Sequence, residues 1–552
     1  MYRPWFCLLP LLILLHACHP APGKAVHITR ADDRTASTIV TSSGPVTGTS
    51  SNTGQAYLGI PYALAPTGNL RWREPLPPAA WTQPRDATRL GHQCVQNLGP
   101  GAQQGKPSHW LVIGSEDCLN LNVYTPADAR PGARKPVMVW IYGGALVLGA
   151  NRQYDPSVLA QNQDVVTVAV NYRLAAMGFL SHPALRAQAG GAANLGLLDQ
   201  QAALRWVRTN IAAFGGDPDN VTLFGESAGA WSVCAQLVAP GAKDLFQRAI
   251  LQSGPCTLHE STVPVNEADA GGERFAADLG CGGPDGAACL RGLSPRKVDG
   301  AVAPTRGILG PHAWNLVAGD SVLPEAPREA FASGRYQHVP VLIGTNHDEG
   351  RLFSFLLGKA GRMDDAAAVQ AQMKDTFGAQ APAVLAAYPL ASFPSAPDAY
   401  AAAVTDGIFA CPSLRLAQSL ARASTVSAYE FSDAKAPFAL SEKAGLGAYH
   451  SSEIAYIFQT RWVLADPASF SPDQRALSDR MQRDWGVFAH GGEAGRGSTE
   501  DALPAGTGSL RWLAYDPASA SRSETSAAPA SAPAIADYAA RHRCELWARL
   551  PL

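Results

Sequence analysis

Five apolar runs rich in β-branched residues restrict most severely what this 552-residue chain can fold into. They are "VMVWIYG" from Val137, "VVTVAVN" from Val165, "VTLFG" from Val221, "VPVLIG" from Val339 and "VSAYEF" from Val426. Each is apolar on both alternating faces, and a strand of that kind has to be covered on both sides. Helix-like segments lie between them. In "NLGLLDQQAALRWVRTNIAAFGG", Leu197, Leu204, Val207 and Ile211 recur at helical spacing until Gly215 and Gly216 stop the run. Strand, helix and strand in alternation predict an α/β fold with a large, mostly parallel central sheet between helical layers. Ahead of it, "STIVTSSGPVTGTSSNTGQAYLGIPYA" reads as small β-hairpins.

The formal net charge is -2 and no block of like charges occurs, so neither nucleic acid nor an anionic membrane surface is an expected partner. Small molecules are. The N-terminus differs in kind from the rest: Arg3 precedes "WFCLLPLLILL", too short to span a bilayer, and the run ends at "HACHP". Residues 1–17 therefore read as a secretory signal, and the protein as exported to a periplasmic, extracellular or outer-membrane location. "LHAC" is similar to a bacterial lipobox, with His16 as a departure, so two outcomes stand at Cys18: lipidation, the only membrane link expected, or simple cleavage. Near the other end, residues 517–535 within "DPASASRSETSAAPASAPAIADYAA" read as a flexible Ala/Ser/Pro-rich linker. The terminal "RHRCELWARLPL", with Cys544 and Trp547, is expected to dock back onto the body.

Of the ten cysteines, Cys7 lies in the signal and Cys18 at its end, which leaves eight for an oxidising compartment. Proximity makes Cys94 with Cys118 and Cys281 with Cys289 natural loops; spacing leaves Cys234, Cys256, Cys411 and Cys544 unassigned. No C-x-x-C or H-E-x-x-H spacing is present, so no metal and no cofactor are expected.

Chemistry enters at "VTLFGESAGAWSV". Gly225-Glu226-Ser227-Ala228-Gly229 matches G-x-S-x-G after a strand and before a helix, the context of a nucleophile elbow. The flanking glycines permit a sharp turn, and the helix N-terminus behind Ser227 offers oriented N–H groups to an oxyanion. A serine hydroxyl is a weak nucleophile unless a base takes its proton and a third group orients that base. Downstream, "VPVLIGTNHDEG" supplies Asp348 and Glu349, and "GLGAYHSSEIAYIF" supplies His450 after a later strand. The residues alone leave the two acids tied. "VWIYGGALVLG" ends a strand in Gly143 and Gly144, which suits a cradle of backbone N–H donors as well as a plain turn.

Together these segments resemble the type-B carboxylesterase and cholinesterase family. The resemblance rests on "EDCLNLNVYTP" and "VTLFGESAGA", and on "LGIPYALAP", "LRW", "NYRLAAMGFL", "NLGLLDQQAALRWV", "FGGDP" and "QSG" in order. It covers roughly residues 40 to 460 plus the C-terminal cysteine segment and implies the α/β-hydrolase fold and hydrolysis of a carboxylic ester, so residues 25–552 read as one domain. Carried across by residue, it makes Ser227 the nucleophile, Glu349 the acid and His450 the base. It draws the oxyanion hole from the N–H groups of Gly144, Ala145 and Ala228, with Gly143 providing the bend. Glu226 and Ser253 fall just behind that machinery. It pairs Arg71 with Glu116, Arg173 with Asp199 and Cys411 with Cys544, and so leaves Cys234 to Cys256.

Two departures narrow the expected substrate. Ala145 stands where the family often has a third glycine, and its methyl disfavours bulky tertiary-alcohol esters. Trp110 lies two residues closer to its closing cysteine than the choline-binding tryptophan of cholinesterases, which argues against a cholinesterase. A lipase, an acyltransferase and a non-catalytic binding protein are the competing expectations. The base must be neutral to act, so activity is expected to fall with pH somewhere between about pH 5 and 8. Oligomeric state is not legible.

Overall fold

The computed structural model describes residues 34–98, 111–258, 261–301, 314–441, 443–494, 509–517 and 532–550. The signal segment, Cys7, Cys18, Trp110 and residues 518–531 of the expected linker lie outside the described residues.

The long strands are β1 (Arg34–Thr41), β2 (Gly44–Ser51), β3 (Gly54–Pro61), β4 (Asn120–Thr125), β5 (Lys135–Ile141), β6 (Val166–Val170), β7 (Gly216–Glu226), β8 (Arg248–Gln252), β9 (Val341–Asn346), β10 (Thr425–Phe431) and β11 (Ser509–Tyr515). They form one sheet in the order β1-β2-β3-β4-β6-β5-β7-β8-β9-β10-β11. From β6 onward every described pairing is parallel, whereas β1 to β4 are antiparallel neighbours. This is the α/β-hydrolase arrangement. All five expected runs form strands, the run from Val339 only from Val341 on, and every residue of β5, β6 and β9 is buried. The start of β7 differs, lying at Gly216 rather than Val221, with a register irregularity between those two residues.

Helices α1 (Leu195–Asn210), α2 (Ala228–Val238), α3 (Gly350–Lys359), α4 (Cys411–Leu420), α5 (Ala532–Arg541) and α6 (Cys544–Arg549) are those that bear on the site. After α1 the chain tightens into a 3-10 turn and stops at Gly215, whose φ of 87° is the left-handed stop expected there. α5 corrects the linker reading: its residues 532–535 belong to a helix. Ile535 and Tyr538, three residues apart, pack that helix onto the core, and the Tyr538 ring lies 4.4 Å from that of Trp512.

The eight cysteines pair as Cys94–Cys118, Cys234–Cys256, Cys281–Cys289 and Cys411–Cys544. The last pins the C-terminal segment beside a smaller apolar cluster, where Trp547 is fully buried and donates its indole N–H to Tyr388 Oη at 2.9 Å. Arg71 binds Glu116 and Arg173 binds Asp199, each through two hydrogen bonds. Asn220, within a glycosylation sequon, sits half-buried in β7, where its side-chain oxygen accepts from Arg248. No described helix is long and apolar enough to cross a membrane.

Candidate active site

Parallel register aligns the C-terminal ends of β5, β7, β8 and β9, with Gly225 beside Ile141, Glu226 beside Gln252, and Gln252 beside Gly344. The loops leaving that edge carry Gly143–Ala145, Ser227, Ser253 and Glu349, and the chain after β10 returns with His450. In parallel α/β sheets this edge is where ligands bind.

Ser227 joins β7 to α2 at φ 56° and ψ -126°, a conformation that costs about 1–3 kcal/mol for a residue with a side chain. Its N–H donates to Gln252 O at 2.9 Å, and its carbonyl accepts from Trp231 at 3.0 Å, so both sides of the turn are fastened. The two motif glycines are there for close approach. A Cβ on Gly229 would stand 2.0 Å from Ile141 O, and one on Gly225 would stand 2.6 Å from the Gly229 carbonyl carbon. α2 therefore lies against the end of β5, with its N-terminal N–H groups behind the serine.

His450 is buried and its Nδ1 lies 2.6 Å from Glu349 Oε2. Glu349 is itself fixed, because its other oxygen accepts from the Asn346 N–H at 2.8 Å. Asp348 points elsewhere. Its carboxylate accepts from the Ala448 N–H at 3.1 Å and pairs with Arg351 at 3.2 Å, bracing the loop that carries His450. The tie between the two acids thus resolves spatially: one meets the imidazole, the other grips the loop. Phe353 and Phe409 close over the ring with centroids 5.0 and 4.8 Å away.

Ser227 and His450 line one cavity of about 200 Å³, with Gly143, Gly144, Ala145 and Glu226 in its polar wall and Trp231, Phe353, Leu356 and Trp462 among its apolar residues. Ala228 is fully buried at the start of α2, directly behind the serine. Gly144 adopts φ 110°, and a Cβ there would stand 2.1 Å from Leu148 O, so only glycine fits. Ala145 follows at φ 54° and lines the cavity. Among the described residues the Ser227 hydroxyl makes no hydrogen bond. The Nε2 of His450 instead lies 3.2 Å from Glu226 Oε1. In enzymes without substrate, the hydrogen bond between nucleophile and base is often long or poorly aligned.

Burial alone would lower the proton affinity of His450. The carboxylates of Glu226 and then Glu349 outweigh burial and hold its pKa up at about 9. Burial pushes Glu226 the other way from a normal carboxylate, up to about 8, against the lowering pull of His450. Glu453 joins them from the same loop as His450, accepting from Asn346 at 2.6 Å and Gln252 at 3.0 Å. Ser253 N–H donates to Gly344 O at 2.8 Å, while its buried hydroxyl has no described partner. Glu453, Phe409 and Trp231 are site residues that the sequence reading did not single out. Trp231 was findable, since a residue four places after Ser227 in a helix shares its face. Among the described residues no group of three or more His, Cys, Asp or Glu side chains is arranged to hold a metal ion.

The sequence model of the Carboxylesterase family matches residues 35–547. The chain belongs to the carboxylesterase family. Its relatives include cocaine esterase of Homo sapiens, 32% identical with 89% of this chain and 86% of the relative covered. Acylcarnitine hydrolase of Mus musculus is 35% identical, with 79% of each chain covered. Para-nitrobenzyl esterase of Bacillus subtilis (strain 168) is 42% identical over 57% of this chain and 63% of its own. A solved structure of a thermophilic PNB esterase superposes with a TM-score of 0.69 at 30% identity, covering 87% of this carboxylesterase and 96% of that chain. This carboxylesterase is an ester-hydrolysing enzyme, and the expectation of a non-catalytic binding protein falls away.

Proposed function

We propose that this carboxylesterase cleaves small to medium carboxylic esters through an acyl-enzyme on Ser227, with His450 as base and acid and Glu349 as the group that orients it. The observation that carries this reading is the shared cavity: a serine held at φ 56° and an imidazole anchored 2.6 Å from a buried carboxylate open onto the same space.

In the first half-reaction Ser227 Oγ attacks the ester carbonyl carbon as Nε2 of His450 takes its proton. Glu349 holds the ring with Nδ1 protonated and stabilises the imidazolium. The carbonyl electrons move onto oxygen, where the N–H groups of Gly144, Ala145 and Ala228 receive them; losing one such donor costs about 10² to 10³ in rate. As the tetrahedral species collapses, the C–O bond to the alcohol breaks and Nε2 returns its proton to the leaving oxygen. Water then repeats the cycle on the acyl-enzyme, and the acid departs.

The cavity supports the substrate class. Its volume of about 200 Å³ and its apolar wall suit an acyl group of a few carbons better than a long chain, and Ala145 crowds the position that a branched alcohol would need. Export is part of the same proposal. It rests on the apolar N-terminal run after Arg3 and on four cystines, which persist in oxidising compartments.

A stopped-flow burst with a p-nitrophenyl ester series tests the reading. One equivalent of p-nitrophenol per chain is expected before steady state, with rates falling as the acyl chain lengthens, and none from Ser227→Ala. Turnover that survives Ser227→Ala, or a wild-type chain that hydrolyses none of the series, would contradict it.

A further inference from the structure

The residue after the base raises a question of its own. Ser451 sits at φ 74°, in the left-handed region where a residue with a side chain is strained and glycine is not. A serine in that conformation needs a compensating contact. It has one: its hydroxyl donates a hydrogen bond to Glu226 Oε1. That same oxygen lies 3.2 Å from His450 Nε2. The opposite oxygen, Oε2, rests against Gly143, where an added Cβ would stand 2.8 Å away. Glu226 is therefore clamped between a glycine of the oxyanion loop and the hydroxyl of Ser451, with its inner oxygen aimed at the edge of the imidazole that must exchange protons with Ser227.

Resting on the Ser227–His450–Glu349 reading above, we propose that Ser451 is a positioning residue of the esterase reaction: its hydroxyl holds Glu226 in place beside His450 and lowers its affinity for a proton. The proton balance shows why this matters. When Nε2 takes the proton from Ser227, Glu226 Oε1 is a competing acceptor within reach. A carboxylate that already accepts a hydrogen bond from Ser451 is a weaker base, since hydrogen bonding favours its charged form. The proton then stays on Nε2, ready for the leaving alcohol. Without that hydroxyl, buried Glu226 competes more strongly for the proton, Nε2 of His450 holds it less firmly, and the leaving alcohol has a poorer acid. The titratable groups that face Glu226 are His450, Glu453 and Glu349, with the phenols of Tyr154, Tyr172 and Tyr429 behind them. None of these except His450 contacts Oε1 directly in the described structure, so Ser451 is the group positioned to set its state.

Ser451→Gly is the informative variant, because it removes the hydroxyl and relieves the backbone at once. It is expected to melt no lower than wild type, to lose roughly tenfold in kcat with KM little changed, and to move the acidic limb of kcat/KM down by roughly half a pH unit. Glu226→Gln should move the limb the same way, and adding Ser451→Gly to it should move the limb no further. A Ser451→Gly enzyme with wild-type kcat and an unmoved limb overturns the proposal. So does a limb shift that persists undiminished in the Glu226→Gln background. His450→Gln and Ser227→Ala, measured alongside, separate the two levels: if either keeps wild-type kcat the underlying triad reading has failed, and if both are inactive the Ser451 result speaks for Ser451 alone.

Discussion

Two histidines in this molecule share a raised pKa and differ in what surrounds them. His450 and His542 are both buried, both lie against two carboxylates, and both have a pKa held up at about 9, with burial opposing and the carboxylates prevailing. At His542 the charges balance. Nδ1 meets Asp406 at 2.6 Å, Nε2 meets Glu430 at 3.1 Å, and Arg541 closes the set on Glu430 at 2.8 Å. Both ring nitrogens are used up, and the ring packs on Tyr538 next to the Cys411–Cys544 bridge. At His450 three carboxyl groups, Glu226, Glu349 and Glu453, surround one imidazole with no described Arg or Lys among them; burial raises the pKa of Glu226 and Glu453, and His450 lines a cavity. A raised histidine alone therefore marks a buried ion network, not a reaction. What distinguishes chemistry is a cluster of carboxyl groups with no cation to pair them, a cavity the imidazole lines, and the strained serine beside it.

The comparison breaks most visibly on activity. His450→Ala is expected to lower kcat/KM by about 10⁴ or more, as removal of a triad base does elsewhere. His542→Ala, assayed per titrated active site, is expected to stay within about tenfold of wild type, since a site held by packing does no chemistry. Equal losses in the two variants would erase the distinction.

On stability the order reverses. Removing His542 leaves Asp406 and Glu430 buried without their shared partner, which typically costs about 3–5 kcal/mol. Denaturant melts of the oxidised protein should show His542→Ala shifted well below wild type and His450→Ala shifted less.

The pH dependence sharpens the contrast further. His542 has a raised folded pKa, so its contribution is complete below the unfolded value near 6.5 and is lost as pH climbs through about 9. Glu430, lowered to about 2 by His542 and Arg541 against its burial, contributes above about 4.5 and loses that contribution as pH falls toward 2. Wild type should therefore melt progressively lower between pH 7 and 10, and His542→Ala should show a flatter slope there, by scanning calorimetry at several pH values.

The smallest effect concerns the acidic limb of catalysis. His450 must lose its proton to act, and a pKa above 6.5 places the limb higher than an ordinary imidazole would, toward the alkaline end of the window expected from sequence or beyond it. Glu226→Gln removes the largest of the raising influences, so the limb should move to lower pH. A limb that stays in place would mean that Glu226 is not ionised where the base acts.

How much of this was legible depended on whether a feature is local. The strand-turn-helix around Ser227 is written in consecutive residues, and the five β-branched runs declare burial on both faces, so the sheet and its elbow could be read directly. β8, "RAILQ", is only five residues long and carries charge and amide at its ends, so it offers no apolar run long enough to declare itself a strand. α5 was hidden for another reason. Its Ala- and Pro-rich composition matches a linker, and only the packing of Ile535 and Tyr538 against the body makes it a helix. Within the site, Asp348 and Glu349 could not be ranked by residue type, because one peptide step turns a carboxylate from the imidazole to the loop behind it. The clamp of Ser451 on Glu226 spans 225 positions and two elements, beyond the reach of any spacing rule.

The most direct measurement of the central claim is stoichiometric labelling with an organophosphate ester followed by peptide mass spectrometry. The account predicts one phosphoryl group per chain, on Ser227, formed at a rate that collapses in His450→Ala and is unaffected by His542→Ala. A label on any other residue, or an equally fast label on Ser227 without His450, would contradict it.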